Sequence, residues 1–328
     1  MLKIKRLLTL ICCASALMLA ACSTGAQVPQ TDAVSIVCTT FASYDWMREI
    51  AGDTEGIELT YLLDEGVDMH SYQPSVADLA TISSADLLVY VGGESDVWVD
   101  DALKGAENTD IKGLSLLEVV GDAAREEEVV EGMQAREEEH AEGEGEEEET
   151  EYDEHVWLSL VNARLLCGRI TQALSEVDPQ GADAYRANAA SYCAKLDALD
   201  AKYRAGVAKA KHTTLLFADR FPFRYLVDDY GLSYFAAFQG CSAESEASFK
   251  TILFLADKLD ALGLPCVLTI EGSSKKIAET VVRTAKRGPV PILTLDSMQS
   301  VRADGIAGGP DYLTVMERNL AILQEALK

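Results

Sequence analysis

Asp178-Pro179-Gln180-Gly181, followed by ADAYRANAASYCAKLDALDAKYRAGVAK over 182–209, is the stretch on which the architecture turns. Pro179 stops the helix before it and opens the next. From Ala182 to Lys209 there is no proline and one glycine, Gly206, while Tyr185, Ala189, Tyr192, Leu196, Leu199, Tyr203 and Val207 recur at helical intervals. That is the apolar stripe of an amphipathic helix. A helix from Ala182 to Lys209 at about 1.5 Å per residue spans roughly 40 Å, enough to cross a whole domain. The reading is a rigid connecting helix over 178–211 with a folded body on either side.

Outward from that helix the same alternation appears twice. On the N-terminal side, strand patterns at 33–40 (AVSIVCTT), 57–63 and 87–91 are interleaved with helices at 44–51, 75–82 (opened by Pro74) and near 96–103, and the apolar 114–120 closes the series. Ser159 is set to cap a helix to about Val177 with Val161, Leu165, Ile170 and Leu174 on one face. On the C-terminal side, strands are expected at 213–218, 233–238, 265–271 and 291–295, with helices near 222–230, 246–261, 274–287 and 312–327. Short strands alternating with helices specify parallel sheets. The fold class is therefore α/β, with an N-terminal lobe at 33–177 and a C-terminal lobe at 212–328. Each has a central, mainly parallel sheet flanked by helices, with a cleft between them. Ligands of such sheets sit beyond the carboxyl ends of the strands. That rule selects Asp68 and His70, then Asp219, Arg220, Glu271 and Asp296.

The chain ends and composition narrow the location and the ligand. Lys3, Lys5 and Arg6, an apolar run from Leu7 to Leu19, and Ala20-Ala21 before Cys22 read as an export signal over 1–21. Leu19-Ala20-Ala21-Cys22-Ser23 resembles a bacterial lipobox, which makes Cys22 the lipidated residue and 22–32 a tether. The expected location is the extracytoplasmic face of a bacterial membrane, held by the lipid alone, since no later stretch approaches the roughly 20 apolar residues of a span. Formal charge is −26, and removing the leader takes it to −29. Nucleic acid is excluded as a partner on that balance, because phosphates require Lys and Arg. Cations fit it. Cys38, Cys167, Cys193, Cys241 and Cys266 remain, with no CxxC spacing. They are read as one or two bridges or as buried apolar residues, and last as metal ligands.

Between Glu126 and Glu154 stand sixteen Asp or Glu and a single Arg136, and the run ends in Asp153-Glu154-His155-Val156-Trp157. A segment of this kind is expected to stay solvated, an acidic disordered loop over about 121–154. Its His140 is an auxiliary metal-capture candidate. His70 and His155, two of only four histidines, both occupy loops after apolar strands. Imidazoles with a carboxylate to complete the shell suit zinc and related ions. His212 precedes a strand at the wrong end and is incidental.

Asp68-Met69-His70-Ser71-Tyr72-Gln73-Pro74, with Asp78 and Ser84-Ala85-Asp86-Leu87 behind it, resembles the first ligand block of the zinc and manganese substrate-binding proteins of ABC importers. DEHVWLSL over 153–160, with Asp178-Pro179, Tyr185 and Asn188, resembles their second block, and the likeness runs from about Val34 to the end through Tyr230-Gly231-Leu232 and Asn319. The resemblance implies His70, His155 and Asp296 as ligands. It also implies a third ligand about ten residues before Tyr230, where this chain has Arg220, and arginine cannot coordinate a cation. Three substitutes are open: Asp219, Glu271 or a water. Arg220 is read first as an ion-pair partner of a carboxylate such as Glu271, with Glu271 as a possible fourth ligand.

The implied function is a monomeric, lipid-anchored receptor, not an enzyme, that delivers zinc to an ABC permease and its ATPase. Manganese (Mn2+) or iron (Fe2+) in place of Zn2+, and a metal-dependent adhesin, are the alternatives. A zinc hydrolase ranks below them, for there is no HExxH helix. Affinity is expected to fall below about pH 6, near the free imidazole pKa.

Overall fold

The computed structural model describes residues 33–134, 151–242, 246–302 and 311–328. Cys22 and His140 lie outside them. The first half contains four strands, β1 (Val34–Cys38), β2 (Ile57–Tyr61), β3 (Leu87–Tyr90) and β4 (Lys112–Ser115). They form one parallel sheet in the order β2-β1-β3-β4. Its helices are α1 (Phe41–Ala51), α2 (Val76–Ser83), α3 (Trp98–Lys104), α4 (Leu116–Val120) and α5 (Leu160–Val177). The second half repeats the design with β5 (Thr214–Phe221), β6 (Ser233–Gln239), β7 (Val267–Ile270) and β8 (Ile292–Leu295), parallel in the order β6-β5-β7-β8. Helices α7 (Arg224–Tyr230), α8 (Phe249–Ala261), α9 (Lys276–Thr284) and α10 (Tyr312–Ala326) accompany it. Both halves change winding direction between adjacent strands, at β1/β3 and β5/β7, which is where this class of sheet opens a crevice.

The connecting helix, α6, runs Ala182–Val207. Its buried stripe is Ala182, Tyr185, Ala189, Tyr192, Leu196, Leu199 and Tyr203, the spacing read from the sequence. Asn188 Nδ2 donates to Ile50 O of α1 at 3.0 Å, and Tyr203 OH donates to Met316 O of α10 at 2.7 Å. One helix is thereby fastened to an element from each end of the chain. Helix α5 is rotated from expectation. Val161 and Leu165 face solvent, while Leu160, Ala163, Leu166 and Cys167 are buried beside Ile170 and Leu174. A single apolar cluster runs from Ile36 and Trp46 through α5 and α6 to Phe217 and Tyr312.

Two boundary readings change. The acidic segment is built into the fold at both ends: Glu126 bridges to Tyr152, Gln134 N donates to Ala237 O at 2.9 Å, and Asp153 and Glu154 are buried. Strand β5 continues past Ala218 to Phe221, with a register shift between Phe217 and Arg220, so Asp219 and Arg220 lie within the strand. All five cysteines of the described region are free. No described helix is long and apolar enough to cross a membrane.

Asp45 of α1 joins the halves. Its Oδ2 accepts from Tyr312 N at the start of α10 at 3.0 Å, and the Trp46 and Tyr312 rings meet edge to face at 5.1 Å. Burial pushes the Asp45 carboxyl up to about 6, although the Tyr312 amide and Arg48 pull the other way. A folded-state pKa above the unfolded value means that the carboxyl opposes folding increasingly as pH rises from about 4 through 6. Asp45→Asn is therefore expected to gain on the parent across that window, by on the order of 2 kcal/mol. Urea unfolding at pH 4 and pH 7 measures the gap, and a gap that narrows with pH contradicts this account.

Candidate metal centre

The site stands at the carboxyl ends of both sheets. His70 lies in the loop after β2, in a 3-10 turn (Met69–Ser71) whose N-cap is Asp68; Asp68 Oδ1 accepts from His70 N at 3.1 Å. The His70 Nδ1 edge faces Ser95 Oγ at 2.8 Å and Glu154 Oε2 at 3.4 Å. Ser95 belongs to the loop after β3, and its N donates to Glu154 Oε1 at 2.9 Å. Gly93 permits that approach: it has φ +84°, and a Cβ there would stand 2.5 Å from Glu154 Oε1.

His155 is fully buried. Asp153 Oδ1 accepts from its backbone N at 2.9 Å and from Nδ1 at 3.0 Å. Asp153 is itself held from the second half, by Tyr225 OH donating to its carbonyl at 2.8 Å. A carboxylate behind Nδ1 puts the ring proton there and leaves Nε2 as the bare, basic nitrogen. That nitrogen faces His70 Nε2 at 3.1 Å. Neighbouring nitrogens on a tetrahedral zinc, with bonds of about 2.0–2.1 Å, stand about 3.3 Å apart. Two such lone pairs repel unless a proton or a cation lies between them.

Charge at the site is negative and sequestered. Burial pushes Asp153 and Glu154 up to about 7 and raises Glu127, which Asp153 raises further. The same burial pushes the His155 imidazole down to about 4. The ring is therefore neutral and able to coordinate at lower pH than a free imidazole. A cavity of about 140 Å³ beside the cluster is lined by His70, Glu94, Ser95, Glu127, Glu151, Tyr152, Glu154 and Cys241.

The other candidates divide. Arg220 pairs with Asp68, not with Glu271: its Nη2 stands 2.6 Å from Asp68 Oδ2, and Nη1 donates to Ser242 O at 3.3 Å. Asp219 spends both oxygens on backbone, accepting from Arg220 N at 2.9 Å and Ile270 N at 3.4 Å. Glu271 accepts from Ser297 N at 2.6 Å, Ser297 Oγ at 2.5 Å and Gln299 N at 3.2 Å. Asp296 Oδ1 accepts from Met298 N at 2.9 Å, and Asn319 clamps its backbone on both sides. Burial raises both carboxyls, and the Asp296 charge raises Glu271 further, while the Met298 amide and Arg318 pull Asp296 the other way. Among the described residues the one group of three His, Cys, Asp or Glu ligand atoms within 4.8 Å of one another is His70, His155 and Cys241. Neither Asp296 nor Glu271 contributes an oxygen to it.

Two residues beside the histidines are not singled out by the sequence: for Cys241, as for the other cysteines, metal ligation ranks last, and Gln299 is not among the candidates. Cys241 follows β6, so the carboxyl-end rule that selected the carboxylates selects it equally. Gln299 follows β8, and its amide nitrogen lies against His155 Nε2 while its Oε1 is buried without a partner among the described residues. Glu271 shapes this strap from behind, with Trp157 Nε1 donating to Ser297 O at 2.8 Å from the other side. Glu271→Ala is expected to strand three donors and to cost about 3 kcal/mol or more in urea unfolding. A loss below about 1 kcal/mol would show that the strap is held without it.

The family model for the zinc-uptake complex component A, periplasmic (ZnuA), matches residues 36–326. The zinc-binding lipoprotein AdcA of Streptococcus pneumoniae is 32% identical over 324 residues, 98% of this chain and 60% of that protein. The chain thus spans about 60% of the length of this relative. The high-affinity zinc uptake system protein ZnuA of Bacillus subtilis is 28% identical over 315 residues, covering 95% of this chain and 94% of the relative. Among solved structures, the Zn(II)-bound ZnuA-like domain of Streptococcus pneumoniae AdcA superposes with a TM-score of 0.69 at 27% identity, over 90% of this chain and 99% of that domain.

Proposed function

The chain belongs to the ZnuA family of zinc-uptake components, and from that membership we propose that it is the extracytoplasmic receptor of an ABC importer, capturing zinc between His70 and His155. Cargo passes to a membrane permease driven by an ATPase, and Cys22 carries the lipid that keeps the receptor at the membrane. The observation that carries the reading is the pair of Nε2 atoms 3.1 Å apart, on two rings whose Nδ1 edges are already engaged. A buried pair of basic nitrogens in a carboxylate-rich pocket is costly unless a proton or a cation lies between them.

Geometry favours a receptor over a hydrolase. Zinc hydrolysis needs a water on the metal and a base within hydrogen-bond reach of it. The carboxyls nearest the rings, Glu154 and Asp153, stand behind Nδ1 of His70 and of His155. They orient ligands and do not reach the Nε2 side. Asp296, which the resemblance offered as a ligand, and Glu271, which stood as a possible fourth, are better read as supports of the segment that ends at Gln299.

One zinc per chain is expected, with His70→Ala and His155→Ala each weakening it more than the roughly 100-fold that loss of an outer partner costs. Chelator competition measures this. Zinc at a thousand times its dissociation constant should stabilise the fold by about 4 kcal/mol. A thermal melt indifferent to zinc removes the proposal. The nine glutamates and His140 within 135–150 are proposed to gather cations near the pocket. Removing 135–150 is expected to leave equilibrium affinity within a few-fold and to slow capture, more so at low salt. Stopped-flow zinc uptake checks it, and a large loss of affinity would give the segment a direct part in binding.

A further inference from the structure

We propose that Cys241 is the third protein ligand of the captured ion, giving two imidazoles and one thiolate, with the Gln299 amide oxygen at the fourth position. This rests on the receptor reading above and goes beyond it by naming the donor set and the class of ion that the set prefers.

Geometry supplies the first argument. The Cys241 sulfur and one nitrogen from each of His70 and His155 are all within 4.8 Å of one another, and they arrive on three separate loops. On a tetrahedral zinc, with Zn–S about 2.3 Å and Zn–N about 2.0–2.1 Å, neighbouring donors stand about 3.3–3.6 Å apart. The two imidazole nitrogens, 3.1 Å apart, already stand close to that spacing, and the sulfur lies within 4.8 Å of both.

The loop bearing Cys241 is built to lie there. Gly240 packs under His155, where a Cβ would stand 3.1 Å from His155 Cε1 and 2.9 Å from Phe221 O. Any side chain at 240 would push the loop, and the sulfur with it, away from the ring. On the other side Arg220 Nη1 donates to Ser242 O at 3.3 Å, and Cys241 N donates to Glu127 Oε1 at 3.2 Å. Arginine therefore stands where the resemblance implies a third ligand on β5 and instead braces the loop from β6, which brings a sulfur in its place.

The fourth position has its own evidence. Gln299 is 4% exposed, its Oε1 has no hydrogen-bond partner among the described residues, and its amide lies against His155 Nε2. A half-turn of the amide exchanges its two ends and sets that orphan oxygen at the point where the imidazoles converge. A buried acceptor without a donor is costly, and a cation there removes the cost.

Chemistry then fixes the class of ion. Thiolate and imidazole are ligands of zinc, copper(I) and their neighbours, whereas manganese, magnesium and calcium favour oxygen. On coordination the thiol proton leaves to solvent as the sulfur–metal bond forms. Cys241 thus makes the site selective for zinc over manganese.

Cobalt(II), added alone to the reduced full-length protein, is the probe. The parent is expected to show a sulfur-to-cobalt charge-transfer band in the near ultraviolet, and Cys241→Ser to bind cobalt without it. By chelator competition Cys241→Ser should bind zinc at least about 100-fold more weakly, beyond the loss of an outer partner, and its zinc-to-manganese preference should fall. A parent spectrum without the band overturns the proposal, and so does Cys241→Ser with unchanged zinc affinity. If His70→Ala and His155→Ala lose zinc while Cys241→Ser keeps it, the thiolate alone is refuted. If neither histidine variant loses zinc, the receptor reading falls as well. Should Cys241→Ser fail to fold, the parent's cobalt spectrum decides by itself.

Discussion

Burial of the His155 ring is the constraint from which the rest of the site follows. A neutral imidazole without access to water must satisfy its N–H within the protein, and Asp153 does so at Nδ1. Nε2 is then the nitrogen left for a ligand. Asp153 can hold that position because Tyr225, from the other half of the chain, holds its carbonyl, and because Arg125 O accepts from its amide. The ring's orientation is therefore set by contacts to the Asp153 backbone, one from the Tyr225 hydroxyl of the other half and one from Arg125 O.

A second constraint is the balance of charge around a cation. Arg220 places a permanent positive charge on the strand that borders the site, which by itself would repel any metal. Asp68 neutralises it at 2.6 Å while its other oxygen caps the turn that carries His70. One carboxylate thus fixes a histidine and quiets an arginine together. The arginine in turn reaches Ser242, so the ion pair becomes part of the frame that positions the loop after β6.

The frame is stiff. A single apolar cluster crosses from the first sheet through α1, α5 and α6 to Tyr312, and Tyr312 OH donates to Trp157 O at 2.6 Å, two residues from His155. With the core shared between halves and α6 bonded to both α1 and α10, the two halves are tied by packing as well as by the chain.

What the chain determined alone was its periodic part. The 3.6-residue stripe of α6 and the alternation of strand and helix each depend on neighbours a few positions away, so the two parallel sheets and the carboxyl-end location of the site were legible. His70 and His155 stood out because histidine is scarce; His70 follows β2, whereas α4 and the acidic segment separate His155 from β4. Contacts made at long range were not legible. Asp68, 152 positions away, takes Arg220 where Glu271 was expected, and Glu271 turns instead to Ser297 and Gln299. A carboxylate's partner is chosen by which donors the packed loops bring within about 3 Å, and no local pattern encodes that. Cys241 shows the same limit: its residue type suggested a buried thiol, and only the meeting of three loops set its sulfur beside two imidazoles.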